Sequence, residues 1–445
     1  MSLPWLPVSR VPAPAFAAIR RRAIFDCCKW DPQVEDECTV ADFALVLPPT
    51  AWRELAGMAE RLAAETLAAE AEMTARPDLH SRLGLPRLVR RALARPLAPG
   101  EVAAATGFAR ITRFDFHLTP EGWRISEANT DVPGGLNEAS GYASLLAPYY
   151  PGAASVGDPT RAYAEAIARS LGSGATVVLA HATAYTDDRQ VMAYLGRELE
   201  RLGLRVQLAS PAHLRWHRGR ARLATAWAHG QVDGIVRFFP GEWLPNLPRR
   251  CGWRHFFRRR ATPLSNPATA LLTQSKRWPL VWNELDTPVP TWRSLLPDTH
   301  DPRACDWRAS EDWVIKPALG RVGEDVGIPG LTQQKEWGKL ARAARWHPAR
   351  WVAQRRFESV PLMVDGDAVH PCVGVYTVDG RAAGAYGRLA RQPLINWKAR
   401  DVAVLQVSSV EEPREDFEPG ILAEVGVPTL SEHPRHPPPA TRNAQ

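Results

Sequence analysis

One predicted β-hairpin constrains the fold of this chain more than any other feature. Its two strands, residues 113–118 and 123–131, alternate between polar and apolar side chains, and Pro120 and Gly122 lie in the turn between them. Alternate side chains of a strand share a face, so Phe114 and its apolar neighbours would pack inward while the polar side chains face the other way. The pattern therefore predicts a sheet with one buried face and one polar face.

The polar face of this hairpin brings charged and amide groups together. Arg113 and Asp115 share it on the first strand, and Glu127 and Asn129 share a face of the second strand. Two carboxylates and an amide oxygen are ligands that Mg²⁺ takes, usually together with waters and phosphate oxygens. An arginine beside them is a fixed positive charge suited to a phosphoryl group. The hairpin suggests a magnesium–nucleotide site, although a half-buried hairpin with an Arg–Glu cross-strand pair would explain the same residues.

The composition is that of a globular protein with two or three structural units. The chain has 445 residues, of which 45% are hydrophobic and 23% charged. No apolar run approaches the roughly 18 residues of a membrane helix, and the N-terminus does not resemble a signal peptide, so we expect a cytoplasmic protein without membrane partners. The six cysteines show no paired spacing, which argues against a zinc site or a disulfide framework.

The charge balance favours a small anionic ligand over a nucleic acid. The net charge is +7, but 48 acidic residues are interleaved with 55 basic ones. The densest basic run, residues 249–260, also contains aromatic side chains that could stack on bases. Polyanion binding through this run is therefore an alternative, while the mixed charge elsewhere argues against nucleic acid as the main partner.

Helix and strand patterns divide the chain into regions. A long amphipathic helix is predicted over residues 50–74, and a second helix over residues 137–146. Residues 175–210 show the order strand, helix, strand, and residues 232–239 form a further strand. Such alternation indicates an α/β layer with parallel strands.

Two apolar strands are predicted in the last third of the chain, at residues 313–316 and 351–354. Lys316 ends the first of them and precedes a loop with two glycines, whose backbone could approach phosphates closely. A solvated lysine beside a hairpin turn would give the same pattern. Lys276 and Arg388, taken alone, could equally be surface charges.

Taken together and in this order, these segments resemble the synthetase half of the glutathionylspermidine synthase family. The residues that carry the resemblance are 28–31, 83–86, 113–116, 127–131, 239–243, 274–276, 314–317, 320–323 and 394–396. That family belongs to the ATP-grasp carboxylate–amine ligases, in a variant whose magnesium hairpin precedes the ATP lysines. The resemblance implies an α/β fold with α+β elements, in which an ATP-grasp fold is preceded by a Rossmann-like pre-ATP-grasp α/β layer.

The resemblance also implies a division of the chain. The predicted parts are an N-terminal helical part (1–110), the metal-binding hairpin and helix of the ATP-grasp core (111–150), the pre-ATP-grasp domain (151–262), the nucleotide-binding part (263–408) and a disordered tail (409–445). We expect the amidase domain, which precedes the synthetase in bifunctional members of the family, to be absent.

Individual residues take roles from the same resemblance. Asp115, Glu127 and Asn129 resemble the magnesium ligands, and Arg113 and Arg388 resemble the catalytic arginines. The residues that resemble the ATP-binding groups are Lys276, Lys316, Arg321, Val322, Gly323, Gln354, Arg355, Arg356 and Phe357. The implied reaction uses ATP and Mg²⁺ to join a carboxylate and an amine, from small molecules or peptides, through an acyl phosphate.

The substrate side departs from the family. Residues 132–135 read Val-Pro-Gly-Gly where the family tends to place small hydroxyl residues, and Leu389-Ala390 replaces the usual Glu-Ser. We therefore expect glutathione and spermidine not to be the best substrate pair. An ATP-binding regulatory or partner subunit without ligase turnover is the main alternative function, and a polyanion-binding module is a weaker one. The substrate pair and the oligomeric state are left open by the sequence.

Overall fold

The computed structural model describes residues 5–6, 9–34, 37–94, 108–258, 261–321, 323 and 325–407. The α-helices are α1 (Ala13–Asp26), α2 (Pro49–Ala75), α3 (Arg87–Leu93), α4 (Ala143–Leu146), α5 (Pro159–Leu171), α6 (Thr186–Arg201), α7 (Leu271–Gln274), α8 (Pro290–Leu295) and α9 (Gln334–Trp346). The first ten strands are β1 (Gln33–Val34), β2 (Glu37–Cys38), β3 (Val40–Leu47), β4 (Ile111–Thr119), β5 (Gly122–Asn129), β6 (Ala153–Ser155), β7 (Thr176–His181), β8 (Arg205–Ala209), β9 (Leu214–His217) and β10 (Arg220–Ala224). The other ten are β11 (His229–Gln231), β12 (Gly234–Phe238), β13 (Leu264–Ser265), β14 (Thr299–His300), β15 (Trp313–Pro317), β16 (Trp351–Arg355), β17 (Leu362–Val364), β18 (Asp367–Val378), β19 (Arg381–Ala390) and β20 (Arg400–Val407).

An eight-stranded sheet carries the predicted hairpin. Its main path runs β3-β20-β19-β18-β4-β5, with β17 on β18 and β6 on β20. The hairpin prediction is confirmed, since β4 and β5 pair antiparallel across the expected turn. β3 pairs parallel with β20, so the segment predicted as helical, residues 1–110, also contributes a strand to this sheet.

The long predicted helix is confirmed as α2, and it covers one face of this sheet. A proline in its first turn suits the helix start, because the missing N–H would have no partner there. Leu55 and Leu62 lie on its buried stripe and belong to the same core as Phe114 and Phe116 of β4. Burial of these side chains against α2 leaves the alternate residues of β4, including Asp115, on the opposite face.

A separate parallel sheet forms the predicted α/β layer. Its order is β13-β12-β7-β8, all pairs are parallel, and α6 connects β7 to β8. The carboxyl ends of β7 and β12 lie side by side, so the loops after them meet at one edge of the sheet. Residues 239–243 follow β12 at this edge.

A small antiparallel sheet, in the order β14-β16-β15, carries the predicted phosphate-binding lysine. Both apolar strands that the sequence predicted here are confirmed. The helix predicted over residues 137–146 is present as a π-helical turn, Glu138–Tyr142, followed by α4. Within the part of the chain that the structure describes, no helix is long and apolar enough to cross a membrane. The predicted tail, residues 409–445, and Val322 lie outside the described residues.

Candidate active site

The hairpin brings the three predicted metal ligands together. Asp115 lies directly opposite Glu127, and Arg113 lies opposite Asn129, so all four share one face. The Asn129 amide donates a hydrogen bond of 3.2 Å to Asp115 Oδ2. A register shift follows Asp115 and leaves Ser126 as an extra residue on β5, a bulge that re-aims the strand beside the carboxylates.

Arg113 is held rigidly beside these oxygens. Its Nε and Nη2 atoms donate to the two oxygens of Asp115 at 2.7 and 2.9 Å, and its Nη1 donates to the Gly134 carbonyl at 2.9 Å. The guanidinium lies 5.0 Å from the ring centre of Tyr386 and 6.0 Å from that of Tyr376. Although burial opposes the charge, Asp115 and the two tyrosines hold the pKa of Arg113 above its usual value.

Two lysines from different elements reach the same place. Lys276, in the segment after α7, pairs with Glu127 at 2.9 Å and donates to the Gly320 carbonyl at 2.8 Å. Lys316, on β15, donates to Gln354 Oε1 at 2.7 Å. Gln354 lies diagonally across from Lys316 on β16, on the same face of the small sheet.

A cleft with about 800 Å³ of empty space, which is continuous with solvent, lies among these groups. The predicted residues that line it are Asp115, Glu127, Lys276, Lys316, Gly323, Gln354, Arg355, Arg356, Phe357 and Arg388. Arg113 and Asn129 each donate a hydrogen bond to Asp115, which lines the cleft. The structure therefore brings together most of the residues that the sequence singled out, and their roles stay predictions.

Three predicted residues are placed in ways that the sequence did not indicate. Arg321 donates to Glu242 and Asp131, neither of which lines the cleft. Arg355 is exposed, with its guanidinium 4.2 Å from the ring centre of Trp313. Arg388 lines the cleft and donates to the carbonyl of Asn396 at 2.7 Å, which ties β19 to the segment after it.

Charge and burial set the protonation states in the cleft. Burial would raise the pKa of Glu127, but Lys276 and Lys316 lower it, so that carboxylate stays ionised. Burial lowers the pKa of Lys316 to about 8, although Glu127 raises it and Lys276 adds to the lowering. Burial and Lys316 lower the pKa of His117 to about 3, so this imidazole is neutral beside Ser126 at physiological pH.

Several buried charged and aromatic residues were not predicted from the sequence. Asp131 forms a fully buried ion pair with Arg237 of β12, and Tyr376 and Tyr386 flank Arg113. Lys29 lies in a second buried cluster with carboxylates of β20 and of the π-helical turn. The sequence offered a weak signal for Asp131 and Lys29, which stand in segments that resemble the family, and none for the tyrosines.

The donor set fits a magnesium ion. Among the described residues, no group of three or more His, Cys, Asp or Glu side chains could hold a metal. The predicted set has two carboxylates, Asp115 and Glu127, and the amide of Asn129. Mg²⁺ is commonly bound by one or two carboxylates and completes its shell with waters and phosphate oxygens. The hard oxygen donors of the hairpin meet this requirement.

Comparison with solved structures identifies similar folds. The structure of a glutathione synthetase-like effector from Globodera pallida matches with a TM-score of 0.57 at 9% identity, covering 88% of this chain and 96% of that chain. A putative gamma-glutamylcysteine synthetase from Methylobacillus flagellatus matches with a TM-score of 0.44 at 13% identity, covering 81% of this chain and 89% of that chain. At 9% identity the first match shows the fold alone. No curated protein matches the chain.

The parallel α/β layer and the large sheet with its hairpin form a mixed α/β fold of the ATP-grasp type, similar to that of the effector structure. Within that class, the chain belongs to the family described as glutathionylspermidine synthase preATP-grasp, which matches residues 42–404. The family and the fold class predicted from the sequence are confirmed. Membership of this family supports a ligase-type function.

Proposed function

We propose that this protein is an ATP- and Mg²⁺-dependent ligase that forms an amide bond between a carboxylate and an amine through an acyl phosphate. One observation carries the proposal. The carboxylates Asp115 and Glu127 of the hairpin converge on one cleft with the ammonium groups of Lys276, after α7, and Lys316, on β15. Family membership supports the same chemistry.

The two lysines would bind the phosphates of the nucleotide. Both ammonium groups are largely shielded from solvent, so their attraction for phosphate oxygens is screened less than at an exposed surface. Glu127 pairs with Lys276, and Gln354 accepts a hydrogen bond from Lys316, so both ammonium groups are held in place. The cleft residues from Gln354 to Phe357 on and after β16 would contact the adenine, as the family resemblance implies.

Mg²⁺ would be held by Asp115, Glu127 and Asn129. When bound, it would neutralise negative charge on the phosphoryl group that is transferred. Arg113 contributes a fixed positive charge beside them, because Asp115 and Gly134 accept its hydrogen bonds and fix its direction. Arg388 supplies a second guanidinium from β19.

The proposed reaction needs no covalent nucleophile from the protein. A carboxylate is a poor acyl donor, so transfer of the γ-phosphoryl group to its oxygen forms an acyl phosphate and releases ADP. Attack by the amine then forms the amide and releases phosphate. Arg113 and Arg388 would stabilise the negative charge that develops. Cys372 lines the cleft, but burial raises the pKa of its thiol, which keeps it protonated and a poor nucleophile.

Dependence of ADP release on both substrates tests the function. A screen of carboxylates and amines with ATP and Mg²⁺ should give rapid ADP release only when a matching carboxylate and amine are both present. Tight ATP binding without release for any pair would instead favour the alternative of a regulatory or partner subunit. We also propose a cytoplasmic location, where ATP, Mg²⁺ and small-molecule substrates are available.

Removal of the Lys316 ammonium should weaken nucleotide binding. Lys316→Ala should cost about 1–3 kcal/mol in affinity for a non-hydrolysable ATP analogue, the usual contribution of a charged hydrogen-bonding group. Calorimetric titration with Mg²⁺ present measures this loss. Lys335→Ala, which removes an exposed ammonium on α9, is the matched control and should leave the affinity unchanged. Unchanged affinity in Lys316→Ala would remove Lys316 from the proposed site.

The lowered pKa of Lys316 predicts a pH-dependent affinity. Below about pH 8 the ammonium is charged and ready for phosphate, and above it the neutral amine must take up a proton on binding. Affinity for the ATP analogue should therefore fall as pH rises above about 8, by up to about tenfold per pH unit. Because the pKa of Lys316 in the folded protein lies below the ordinary value of 10.5, its buried charge lowers the free energy of unfolding below about pH 8. This destabilisation decreases as pH rises from about 8 to 10.5. Titrations in buffers of different ionisation enthalpy measure the proton uptake, and Lys316→Ala should abolish it.

A further inference from the structure

Three segments of the chain, to which the proposed reaction assigns no contact between them, meet at Arg321. Asp131 follows the metal hairpin, Gly241 and Glu242 follow β12 of the parallel sheet, and Arg321 follows β15. Arg321 Nε and Nη2 donate to the two oxygens of Glu242 at 2.9 and 2.8 Å, and Nη2 also donates to Asp131 Oδ2 at 2.9 Å. One guanidinium therefore connects three parts of the fold.

The partners of Arg321 are themselves fixed. Asp131 is fully buried, and its two oxygens accept bonds from Arg237, from Arg321 and from the backbone N–H of Gly241 at 3.0 Å. Burial would raise the pKa of Asp131, but Arg237 and Arg321 lower it. Glu242 and Asp131 also raise the pKa of Arg321 against the effect of burial. The cluster thus pairs two carboxyl groups with two guanidinium groups.

The backbone beside Arg321 lines the cleft. Gly323, two residues further on, has φ +68°, and a Cβ there would lie 2.3 Å from the carbonyl oxygen of Ile395. The backbone at Gly323 therefore packs closely against the backbone of Ile395, which also lines the cleft. Only a residue without a side chain fits, so the path of the chain at this point is tightly specified.

Release of Arg321 toward a phosphate would be costly. The guanidinium would have to give up a bidentate ion pair with Glu242 and its bond to Asp131, both in a largely buried place. Glu242 would then lose its ion pair and Asp131 would keep only Arg237, and a buried charge that loses its partner is strongly destabilising.

We propose that Arg321 is a positioning residue: its ion pairs with Asp131 and Glu242 fix the backbone at Gly323 against the cleft, and it does not itself contact nucleotide phosphates. This assigns a role to Asp131 and to Glu242, which anchor the nucleotide-binding part to the hairpin and to the parallel sheet. The test by nucleotide affinity rests on the proposed function, whereas the test by hydrogen–deuterium exchange does not.

Hydrogen–deuterium exchange without nucleotide tests whether the ion pairs of Arg321 fix the backbone. Glu242→Gln and Arg321→Gln should each speed exchange of the peptides that cover residues 239–243 and 320–328, by about tenfold or more, because each breaks the same connection. Glu70→Gln is the matched control, since Glu70 and Arg110 form a similarly buried ion pair elsewhere. It should leave both peptides unchanged. Unchanged exchange in both Arg321→Gln and Glu242→Gln would overturn the proposal.

A double-mutant cycle tests whether Arg321 supports nucleotide binding through its ion pair with Glu242. Affinity for the ATP analogue should fall by a similar factor, about three- to thirtyfold, in Glu242→Gln and in Arg321→Gln, and the double variant should be no weaker than either single one. Loss in Arg321→Gln with normal or tighter binding in Glu242→Gln would show that Arg321 binds phosphate, and would refute its positioning role. An unmutated protein that does not bind the analogue would refute the proposed function, and the exchange data would still decide the role of Arg321.

Discussion

Asp115→Asn is expected to abolish most ATP turnover while the fold is kept. Asp115 lies opposite Glu127 and accepts hydrogen bonds from Arg113 and Asn129, so it is at the centre of the proposed metal set. Asparagine keeps the shape and one acceptor oxygen but removes the charge that a divalent cation requires. We expect ADP release to fall by about 100-fold or more at saturating ATP and ordinary Mg²⁺ concentration.

A carboxylate in the turn of the same hairpin provides the control. Glu121 is exposed and accepts a hydrogen bond from Thr119 at 3.0 Å, so Glu121→Gln makes the same chemical change outside the cleft. It should leave turnover within about twofold. Circular dichroism and thermal melting should show that Asp115→Asn is folded, although less stable because Arg113 loses an ionised partner. Normal turnover in folded Asp115→Asn would rule out the metal assignment.

The local part of this site could be predicted from the sequence. Side chains on a strand alternate with a period of two, so the residue pattern alone places Asp115 on the face opposite Phe114 and pairs it with the groups of the return strand. The long helix α2 and the parallel layer follow from equally local patterns. The bulge at Ser126 has no such signal, because its position is set by how the two strands pair.

The partners of the charged groups could not be predicted in the same way. Arg321 was predicted to bind ATP from the family resemblance, and no local pattern indicated that its guanidinium pairs with Asp131 and Glu242, which lie far away in the sequence. The pairing of β3 with β20 likewise joins two distant parts of the chain. Local periodicity specifies which way a side chain points, whereas its partner depends on the packing of separate elements.

The segment of residues 132–135 bears directly on the choice of substrate. The Gly134 carbonyl accepts hydrogen bonds from Arg113 and from the hydroxyl of Tyr376, so this segment lies against the proposed reaction centre. Its sequence, Val-Pro-Gly-Gly, offers no side-chain hydroxyl. A polar peptide placed here would have to bury hydrogen-bonding groups without side-chain partners from this segment, which is costly.

Glutathione with spermidine is therefore expected to be a poor substrate pair, with a catalytic efficiency below about 10⁴ M⁻¹s⁻¹, while another carboxylate and amine release ADP faster. Steady-state ADP release across a substrate panel measures this difference. The structure offers a matched pair of variants, because a Cβ at Gly134 would meet its nearest atom, on Phe238, only at 3.7 Å. Gly134→Ser should raise activity with glutathione, and Gly134→Ala, which adds the carbon without the hydroxyl, should not. An efficiency of about 10⁴ M⁻¹s⁻¹ or more in the unmutated protein would contradict the prediction, since it would mean that residues 132–135 accept the family's peptide without side-chain hydroxyls.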